Sequence, residues 1–288
     1  MQVKEDMKKG LILEGGAMRG LFSAAILDVM LEHNVTFDGM IGVSAGAAFG
    51  CNFKSKQIGR ALRYNKKYCR DRRYCSYLSW LTTGNVFGAE FCYHKLPEEL
   101  DIFDIETFEQ NPLEFYMVCT DVMTGKALYY KCDKADYDCL EYMRASASMP
   151  LVSKIVEVGS GKYLDGALAD SIPLKFFESI GYDRNIVILT QPANYEKKVS
   201  SAMPLLRLIY RKYPALVRAM EQRHEIYNET IHYIEEKNTK GEILLLRPEN
   251  KLPVKRMCKN PNILQETYDI GRDLAMRRIS EIKTFLAQ

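Results

Sequence analysis

The stretch from Gly42 to Gly46, which reads Gly-Val-Ser-Ala-Gly, constrains the fold of this chain more than any other part of its sequence. A short apolar run typical of a buried strand precedes it, and small residues that suit the start of a helix follow it. A strand that turns at once into a helix holds the residue between them in a strained backbone conformation. The neighbours two positions away must then be nearly free of side chain, as Gly42 and Gly46 are. In this context the pattern predicts a nucleophile elbow with Ser44 at its tip, and hence serine acyl transfer, although the bare five-residue pattern also occurs by chance.

Length and composition indicate an ordinary globular chain. Its 288 residues suit one large α/β domain, or such a domain with an appended subdomain. With 47% hydrophobic and 27% charged residues it can bury a substantial core, and a net charge of +3 gives no support for nucleic-acid binding. The first nine residues carry mixed charges and no apolar stretch typical of a secretory leader, and no apolar run is long enough to span a bilayer. We therefore expect a cytoplasmic protein that meets membranes only peripherally.

The cysteines give no sign of a metal site or a disulfide framework. No two of them have Cys-x-x-Cys spacing, and no histidine stands at zinc-finger spacing from them. Scattered free thiols fit a reducing cytosol, and we expect neither a metal nor an organic cofactor. The eight cysteines are at positions 51, 69, 75, 92, 119, 132, 139 and 258.

Apolar runs alternate with helical patterns in the first two thirds of the chain. This alternation predicts an α/β fold with a mostly parallel sheet and helices on both faces, in a catalytic domain that spans residues 8–195. The predicted strands are residues 11–13, 37–43, 114–122, 126–132, 155–158 and 185–189, with 114–122 and 126–132 paired across a turn. The predicted helices are residues 21–32, 136–147 and 173–180, and residues 54–80 are expected to be helical with a looser end.

The pattern becomes mainly helical from about residue 200. Long helical stretches at residues 205–236 and 263–286 flank a predicted strand at 242–246, and Pro214 is expected to break or kink the first stretch. We expect residues 200–288 to form a mainly helical C-terminal region packed on the catalytic domain. Such a region could cap the site, bind a partner or form a dimer.

A glycine-rich loop follows the first predicted strand and precedes its helix. Backbone N–H groups in such a loop, together with the positive end of the helix, favour negative charge, which in acyl transfer is the tetrahedral oxyanion. Nucleotide phosphate is the competing ligand, but Leu21 and Phe22 stand where a P-loop has Lys and Ser/Thr, and Ala17 replaces the second glycine of the dinucleotide pattern. A tight turn without a ligand is the third possibility. With the elbow close behind, we favour an oxyanion hole.

A serine nucleophile needs a group that accepts its proton. Of the four histidines only His224 and His232 follow Ser44 at the distance of the usual triad order, and both lie in a highly charged helical stretch that suits a solvated role. Asp165 is the better candidate, because the small residues Gly166 and Ala167 after it allow the chain to pass close to the nucleophile. Burial beside the glycine loop would raise the pKa of this carboxyl toward a useful value.

Three motifs in this order resemble the patatin-like phospholipase family. They are the loop Gly15-Gly16-Ala17-Met18-Arg19-Gly20, the elbow Gly42-Val43-Ser44-Ala45-Gly46 and the turn Asp165-Gly166-Ala167. The segment from Arg144 to Pro150 is similar to the family's Ala-Ser…Pro segment ahead of the aspartate. The resemblance covers about residues 8–195, and residues 200–288 look similar to the C-terminal region of a bacterial branch of the family.

The resemblance implies a patatin-like three-layer α/β/α fold, Ser44 as nucleophile and Asp165 as its base, without a metal or cofactor. It also implies that backbone amides around Gly16 and Ala17 hold the oxyanion. Ala17 departs from the family, which usually has a third glycine there. Alanine keeps its N–H, so the donor survives if φ is negative; a positive φ would strain the loop.

The implied substrate is an acyl ester of a lipid. The chain has a basic stretch at residues 54–73 interleaved with aromatic side chains, which could rest on an anionic membrane surface. The alternative is a solvated helix face whose aromatic side chains pack inward. Arg19 could orient a head-group phosphate or structure the loop, and we favour the second role.

Three functions compete at this point. The leading one is a lipid acyl hydrolase of the phospholipase A or lysophospholipase type that works through a Ser44–Asp165 dyad and an acyl-enzyme. The second is a general carboxylesterase or thioesterase for small soluble esters, which shares the chemistry. The third is a catalytically weak scaffold or regulatory protein of the same fold, supported only by Ala17.

Overall fold

A computed structural model of the protein describes residues 7–288. The first six residues, on which the expected absence of a leader partly rests, lie outside the described residues. Eight strands form one sheet in the order β5-β6-β3-β2-β1-β7-β8, with β4 also paired to β3. The strands are β1 Lys8–Leu13, β2 Gly39–Val43, β3 Glu114–Asp121, β4 Ala127–Lys131, β5 Val156–Val158, β6 Gly161–Asp165, β7 Tyr182–Ile188 and β8 Ile243–Leu246.

Ten α-helices surround this sheet in the described part of the chain. They are α1 Gly20–Glu32, α2 Ala45–Lys54, α3 Arg60–Tyr68, α4 Tyr77–Thr83, α5 Ile105–Gln110, α6 Tyr137–Ser146, α7 Leu174–Ser179, α8 Met203–Ile209, α9 Pro214–Thr239 and α10 Pro261–Ala287. Short 3₁₀ turns lie at Ala17–Arg19 and Gly166–Leu168, and a π-helical segment at Phe91–Leu100. Pro214 is the first residue of α9, so the predicted break between two helices is confirmed.

The sheet is mostly parallel, as predicted. The pairs β1–β2, β1–β7, β2–β3 and β7–β8 are parallel, whereas β3–β4, β3–β6 and β5–β6 are antiparallel. Successive side chains of a strand point to opposite faces, and both faces are apolar here. Leu11 and Leu13 of β1 pack in the cluster that contains residues of α1, α2 and α10, whereas Ile12 packs with residues of α7 and α9. The predicted three-layer α/β/α fold is therefore confirmed.

The C-terminal residues are built into these layers. β8 pairs with β7 in the sheet, α9 covers one face, and α10 packs on α1 at the other, where Gly271 lies against the Phe22 backbone. The domain boundary near residue 200 stays a prediction, but hydrogen bonding of the sheet continues across it.

One expectation about the cysteines was wrong. Cys132 and Cys139 form a disulfide across the short connection between β4 and α6, which brings their Cα atoms to 5.9 Å. Their spacing of seven residues is not a recognisable disulfide signature, so no local pattern predicted this bond. The other six cysteines are free.

Within residues 7–288, no helix is both long and apolar enough to cross a bilayer.

Candidate active site

Ser44 lies between the end of β2 and the start of α2, as the elbow pattern predicts. Its φ of 56° and ψ of −121° place it in a backbone region that residues with side chains rarely adopt. A Cβ atom on Gly42 would lie 2.5 Å from the Ala47 nitrogen, and one on Gly46 would lie 2.6 Å from the Leu13 oxygen. Side chains at these two positions would therefore open the turn.

Ser146 supports the elbow from the end of α6. Its Oγ accepts a hydrogen bond from the Ser44 N–H at 2.9 Å. Ser146 belongs to the Ala-Ser-containing segment that precedes the aspartate motif in the sequence. That segment therefore positions the Ser44 backbone.

The glycine loop connects β1 to α1 beside the elbow. A Cβ atom on Gly15 would lie 2.8 Å from the Ser44 Cβ, and one on Gly16 would lie 2.7 Å from Thr190 Oγ1. The N–H groups of Gly15, Gly16 and Ala17 form no hydrogen bond to an acceptor in residues 7–288. Donors of the predicted oxyanion loop are thus next to Ser44 and free to bind a ligand.

Ala17 adopts a φ of 50°, in the left-handed region. Of the two cases that the sequence left open, the structure has the one in which alanine strains the loop. The N–H of Ala17 is nevertheless retained, and Arg19 and Gly20 continue the chain into α1.

Asp165 ends β6 and is 1% exposed. Its Oδ1 accepts a hydrogen bond from the Ala167 N–H at 2.9 Å, in the tight turn that Gly166 permits. Its Oδ2 is buried without a hydrogen-bond partner among residues 7–288. A buried carboxylate oxygen without a partner is costly, and such exceptions are expected at functional sites.

Burial raises the pKa of Asp165 above its ordinary value. The Ala167 N–H, the Arg223 charge, the Ser44 hydroxyl and the Lys197 charge act against this rise. Oδ2 forms no hydrogen bond within residues 7–288, so one oxygen of this buried carboxyl group is free to accept one.

Ser44, Asp165 and the glycine loop line one cavity of about 690 Å³. This volume is within the range of ligand pockets. Most of its wall is apolar and comes from the π-helical segment, the connection after α6, and α8. The apolar lining residues include Phe49, Phe87, Leu96, Met143, Met149, Leu151, Met203, Leu206 and Met220.

The two downstream histidines have different positions. His224 lines the cavity, but its Nδ1 hydrogen bonds with the Glu221 carbonyl at 2.9 Å within α9. His232 is exposed on the same helix. Asp165 and His224 thus both line the cavity that contains Ser44, but the His224 ring is bonded within its own helix.

Sequence reasoning missed Glu14, which directly precedes the glycine loop. It is 4% exposed, and its carboxylate accepts hydrogen bonds from the Thr190 N–H at 2.6 Å and from the Tyr227 hydroxyl at 2.9 Å. No local pattern could have linked these three residues, because they lie far apart in the sequence.

The basic segment 54–73 is largely engaged in the fold. Six of its nine cations donate to protein acceptors: Lys54, Arg60, Arg63, Lys66, Arg70 and Arg73. Tyr64, Tyr68 and Tyr74 are buried, whereas Tyr77 and Trp80 of α4 are exposed. Most of this segment therefore fits the alternative interpretation, in which its aromatic side chains pack into the protein.

No group of three or more Cys, His, Asp or Glu side chains that could hold a metal ion occurs between residues 7 and 288.

Comparison with known proteins identifies the family. The sequence profile of the family described as patatin-like phospholipase matches residues 11–177, more than half of the chain. The chain belongs to the patatin-like phospholipase family. Membership supports the hydrolysis of lipid esters as its general activity. A second profile, a domain of unknown function named DUF6363, matches residues 213–287.

Several curated proteins are similar to this patatin-like chain. The uncharacterized protein YjjU of Escherichia coli is 28% identical over 292 residues, which cover 91% of this chain and 74% of that protein. Lysophospholipase nte1 of Aspergillus niger is 26% identical over 180 residues, 60% of this chain but only 11% of its own length. A putative patatin-like phospholipase domain-containing protein of Caenorhabditis elegans, M110.7, is 25% identical over 62% of this chain and 16% of its own length.

Among solved structures, VipD from Legionella pneumophila aligns with a TM-score of 0.47 at 10% identity, over 96% of this chain and 67% of that one.

Proposed function

We propose that the protein is a serine acyl hydrolase that cleaves carboxylic esters of lipids, as a phospholipase A or lysophospholipase does. One observation carries this proposal: Ser44, at a strained strand-to-helix turn, and the buried Asp165 line the same largely apolar cavity. A nucleophile and a carboxyl group therefore line one space whose wall is mostly apolar, as binding of an acyl chain requires.

In this mechanism Asp165 accepts the proton of the Ser44 hydroxyl as Oγ attacks the ester carbonyl. Its raised pKa brings the carboxylate closer to the basicity that a general base needs. Collapse of the tetrahedral intermediate expels the alcohol, which takes the proton from Asp165, and leaves an acyl-serine. Water then attacks the acyl-serine while the same carboxylate accepts its proton. Collapse of the second tetrahedral intermediate breaks the bond to Oγ and releases the fatty acid, and Ser44 takes the proton back from Asp165.

The oxyanion would bind to the free N–H groups of Gly15, Gly16 and Ala17. Ser44 also precedes α2, whose first N–H groups have no partner within the helix. One such donor is worth about 3 kcal/mol in a known enzyme. The strained φ of Ala17 fits a loop held in place for this role.

We propose that lipid enters the cavity from a membrane surface, with the contact made by α4 and α8 rather than by the basic segment 54–73. Trp80 of α4 donates to the Leu151 carbonyl at 2.9 Å, and Met203 and Leu206 of α8 pack with Leu151, which lines the cavity. Both helices also carry exposed apolar side chains, at positions Tyr77, Leu78 and Leu81 of α4 and Leu205, Leu208 and Ile209 of α8. Exposed apolar side chains that form a continuous patch commonly mark an interaction site, and these six are the candidates for one.

Binding to phosphatidylglycerol vesicles separates the two surfaces. Changing Leu78, Leu81 and Leu208 to Ser is expected to abolish sedimentation with vesicles. Changing the three cations without an acceptor in the described chain, Lys56, Lys67 and Arg72, to Gln is expected to reduce it only slightly. If the cation variants lose vesicle binding and the leucine variants keep it, the membrane contact is made by the basic segment 54–73 instead.

A fluorophosphonate probe tests the chemistry. The wild-type protein is expected to be labelled and Ser44→Ala to remain unlabelled, whereas Ser179→Ala, which removes an exposed hydroxyl of α7 outside the cavity, should be labelled like the wild type. Absence of labelling in the wild type would favour a regulatory or scaffold protein.

A panel of lipid and short soluble esters distinguishes the lipase from a general carboxylesterase or thioesterase, which would prefer the soluble substrates.

A further inference from the structure

Besides the exposed Lys198, four basic side chains line the cavity without an acidic partner. Arg19 comes from the glycine loop, Lys197 from the connection after β7, Arg223 from α9 and Arg256 from the connection before α10. None of them forms an ion pair within 4 Å in residues 7–288, although the protein has many such pairs elsewhere. Arg19 Nε is moreover buried without a hydrogen-bond partner there.

Lys197 is held in this position by its backbone. Its N–H donates to Asn228 Oδ1 at 2.9 Å, and its carbonyl accepts from Asn228 Nδ2 at 3.0 Å. Its ammonium lies 3.9 Å from the centroid of the Tyr227 ring. Burial and the charges of Arg223, Arg19 and Arg256, opposed by Glu14, lower its pKa to about 7. An anion beside the ammonium would counteract both the burial and the repulsion from the neighbouring cations.

Arg223 lies next to the base. Its Nε donates to the carbonyl of Ala167, two residues after Asp165. No hydrogen bond engages its two terminal nitrogens among the described residues, and burial lowers its pKa. A guanidinium with free terminal N–H groups is suited to bind a phosphate oxygen.

The acidic groups nearby offset only part of this charge. Glu14 and Asp165 are the acidic side chains among the lining residues, and together they supply at most two negative charges against these four basic side chains. An excess of positive charge remains in a partly buried space, where each attraction to an anion exceeds its value in water.

We propose that Lys197, Arg223 and Arg256 form an anion subsite that holds a phosphate group beside the scissile ester. The statement that an ester is cleaved beside this subsite rests on the proposed function, whereas the binding of a phosphate group by these cations does not. The three cations lie outside the segment that matches the patatin-like profile. The preferred substrate is then a lipid ester that carries a phosphate on its glycerol.

The substrate arm compares two esters that differ only in the phosphate, dihexanoyl phosphatidic acid and dihexanoylglycerol, both below their micelle concentrations. The ratio of their kcat/KM values is expected to fall about tenfold or more in Lys197→Met and in Arg256→Gln, mainly through KM for the phosphate ester. Lys255→Gln changes an exposed neighbour that does not line the cavity, and it is expected to leave the ratio unchanged. An unchanged ratio in the first two variants would overturn the proposal.

The binding arm separates failure of the subsite from failure of the hydrolase. Calorimetry with Ser44→Ala measures the affinity of the dihexyl ether of phosphatidic acid, the phosphate-free ether, and inorganic phosphate. Tighter binding of the phosphate ether than of the other two, lost in Lys197→Met, supports the subsite even if no ester is hydrolysed. Inorganic phosphate that binds as tightly as the ether phosphate would show a site for the free anion and overturn the lipid assignment. Equal affinity for the two ethers would overturn the subsite itself.

Discussion

The Tyr227 hydroxyl donates a hydrogen bond to Glu14 Oε1 at 2.9 Å, between residues 213 positions apart. It connects α9 to the residue directly before the glycine loop, while Thr190 donates to the other carboxylate oxygen. Thr190 Oγ1 also donates to the Gly15 carbonyl at 3.0 Å. The C-terminal part of the chain therefore fixes the position of the proposed oxyanion loop.

Tyr227→Phe is expected to leave Glu14 Oε1 buried without a partner. The free energy of unfolding should fall by about 1–3 kcal/mol, and kcat should fall with it because the loop loses its support. Urea denaturation and steady-state kinetics measure the two effects. Tyr233→Phe removes a similar bond to Glu178 on a more exposed part of α9, and it should cost less than about 1 kcal/mol without a change in kcat. Equal effects of the two changes would contradict the role given to Glu14.

Asp165→Asn is expected to abolish turnover, because the amide cannot accept the Ser44 proton. His224→Ala should retain most of kcat, since the His224 ring is occupied with the Glu221 carbonyl. The fold of each variant is checked by circular dichroism before kinetics. Loss of turnover in His224→Ala alone would indicate a conventional triad.

The pH dependence of kcat/KM reports the free base. Because burial raises the pKa of Asp165, its inactive protonated form persists to higher pH than for an ordinary aspartate, and activity should fall on the acid side well above pH ~4. Arg223→Gln removes a charge that lowers this pKa, so the acid limb should move to higher pH. Arg218→Gln, an exposed change on the same helix, serves as control. A limb that stays in place in Arg223→Gln would argue against Asp165 as the titrating group.

Ala17→Gly is expected to stabilise the protein by about 1 kcal/mol, because glycine adopts the observed φ of 50° without strain. Activity should be kept, since the N–H remains. Ala219→Gly, within α9, should instead destabilise by about 1 kcal/mol. Thermal unfolding of the two variants would therefore shift in opposite directions, and a lower midpoint for Ala17→Gly would show that the loop is not strained.

Asp28 makes stability depend on pH. Its Oδ2 accepts the Tyr268 hydroxyl at 2.6 Å and the Gly59 N–H at 3.0 Å, and burial raises its pKa to about 6. A folded pKa above the unfolded value gives stability that is full below pH ~4 and is lost as pH rises through about 6. Asp28→Asn keeps a hydrogen-bond acceptor without the charge. At pH 8 the free energy of unfolding of this variant should therefore exceed that of the wild type by up to about 3 kcal/mol, and at pH 4 the two should be nearly equal. A constant difference between the two pH values would contradict this assignment.

Local patterns predicted most of the sheet and the positions of the chemical motifs. Apolar runs and a turn predicted β1, β2 and the β3–β4 hairpin. The two glycines around Ser44 predicted the turn at this residue, and the structure shows that neighbouring backbone atoms leave no room for a side chain at either glycine. The residues that surround the site were not predictable in this way. Glu14, Lys197 and Arg223 line the same cavity only because strands and helices distant in sequence pack together. Likewise, the basic stretch at residues 54–73 does not reveal which of its cations donate hydrogen bonds to protein acceptors in the folded chain.

Because β1 lies between β2 and β7 in the sheet, a fragment that folds on its own has to include both neighbouring strands. A fragment confined to residues 11–177 would lack β7, and the backbone edge of β1 at the centre of the sheet would face solvent. An uncovered apolar strand edge pairs readily with other chains, so such a fragment is expected to aggregate. A monomeric fragment therefore has to continue at least through β7, which covers this edge of β1.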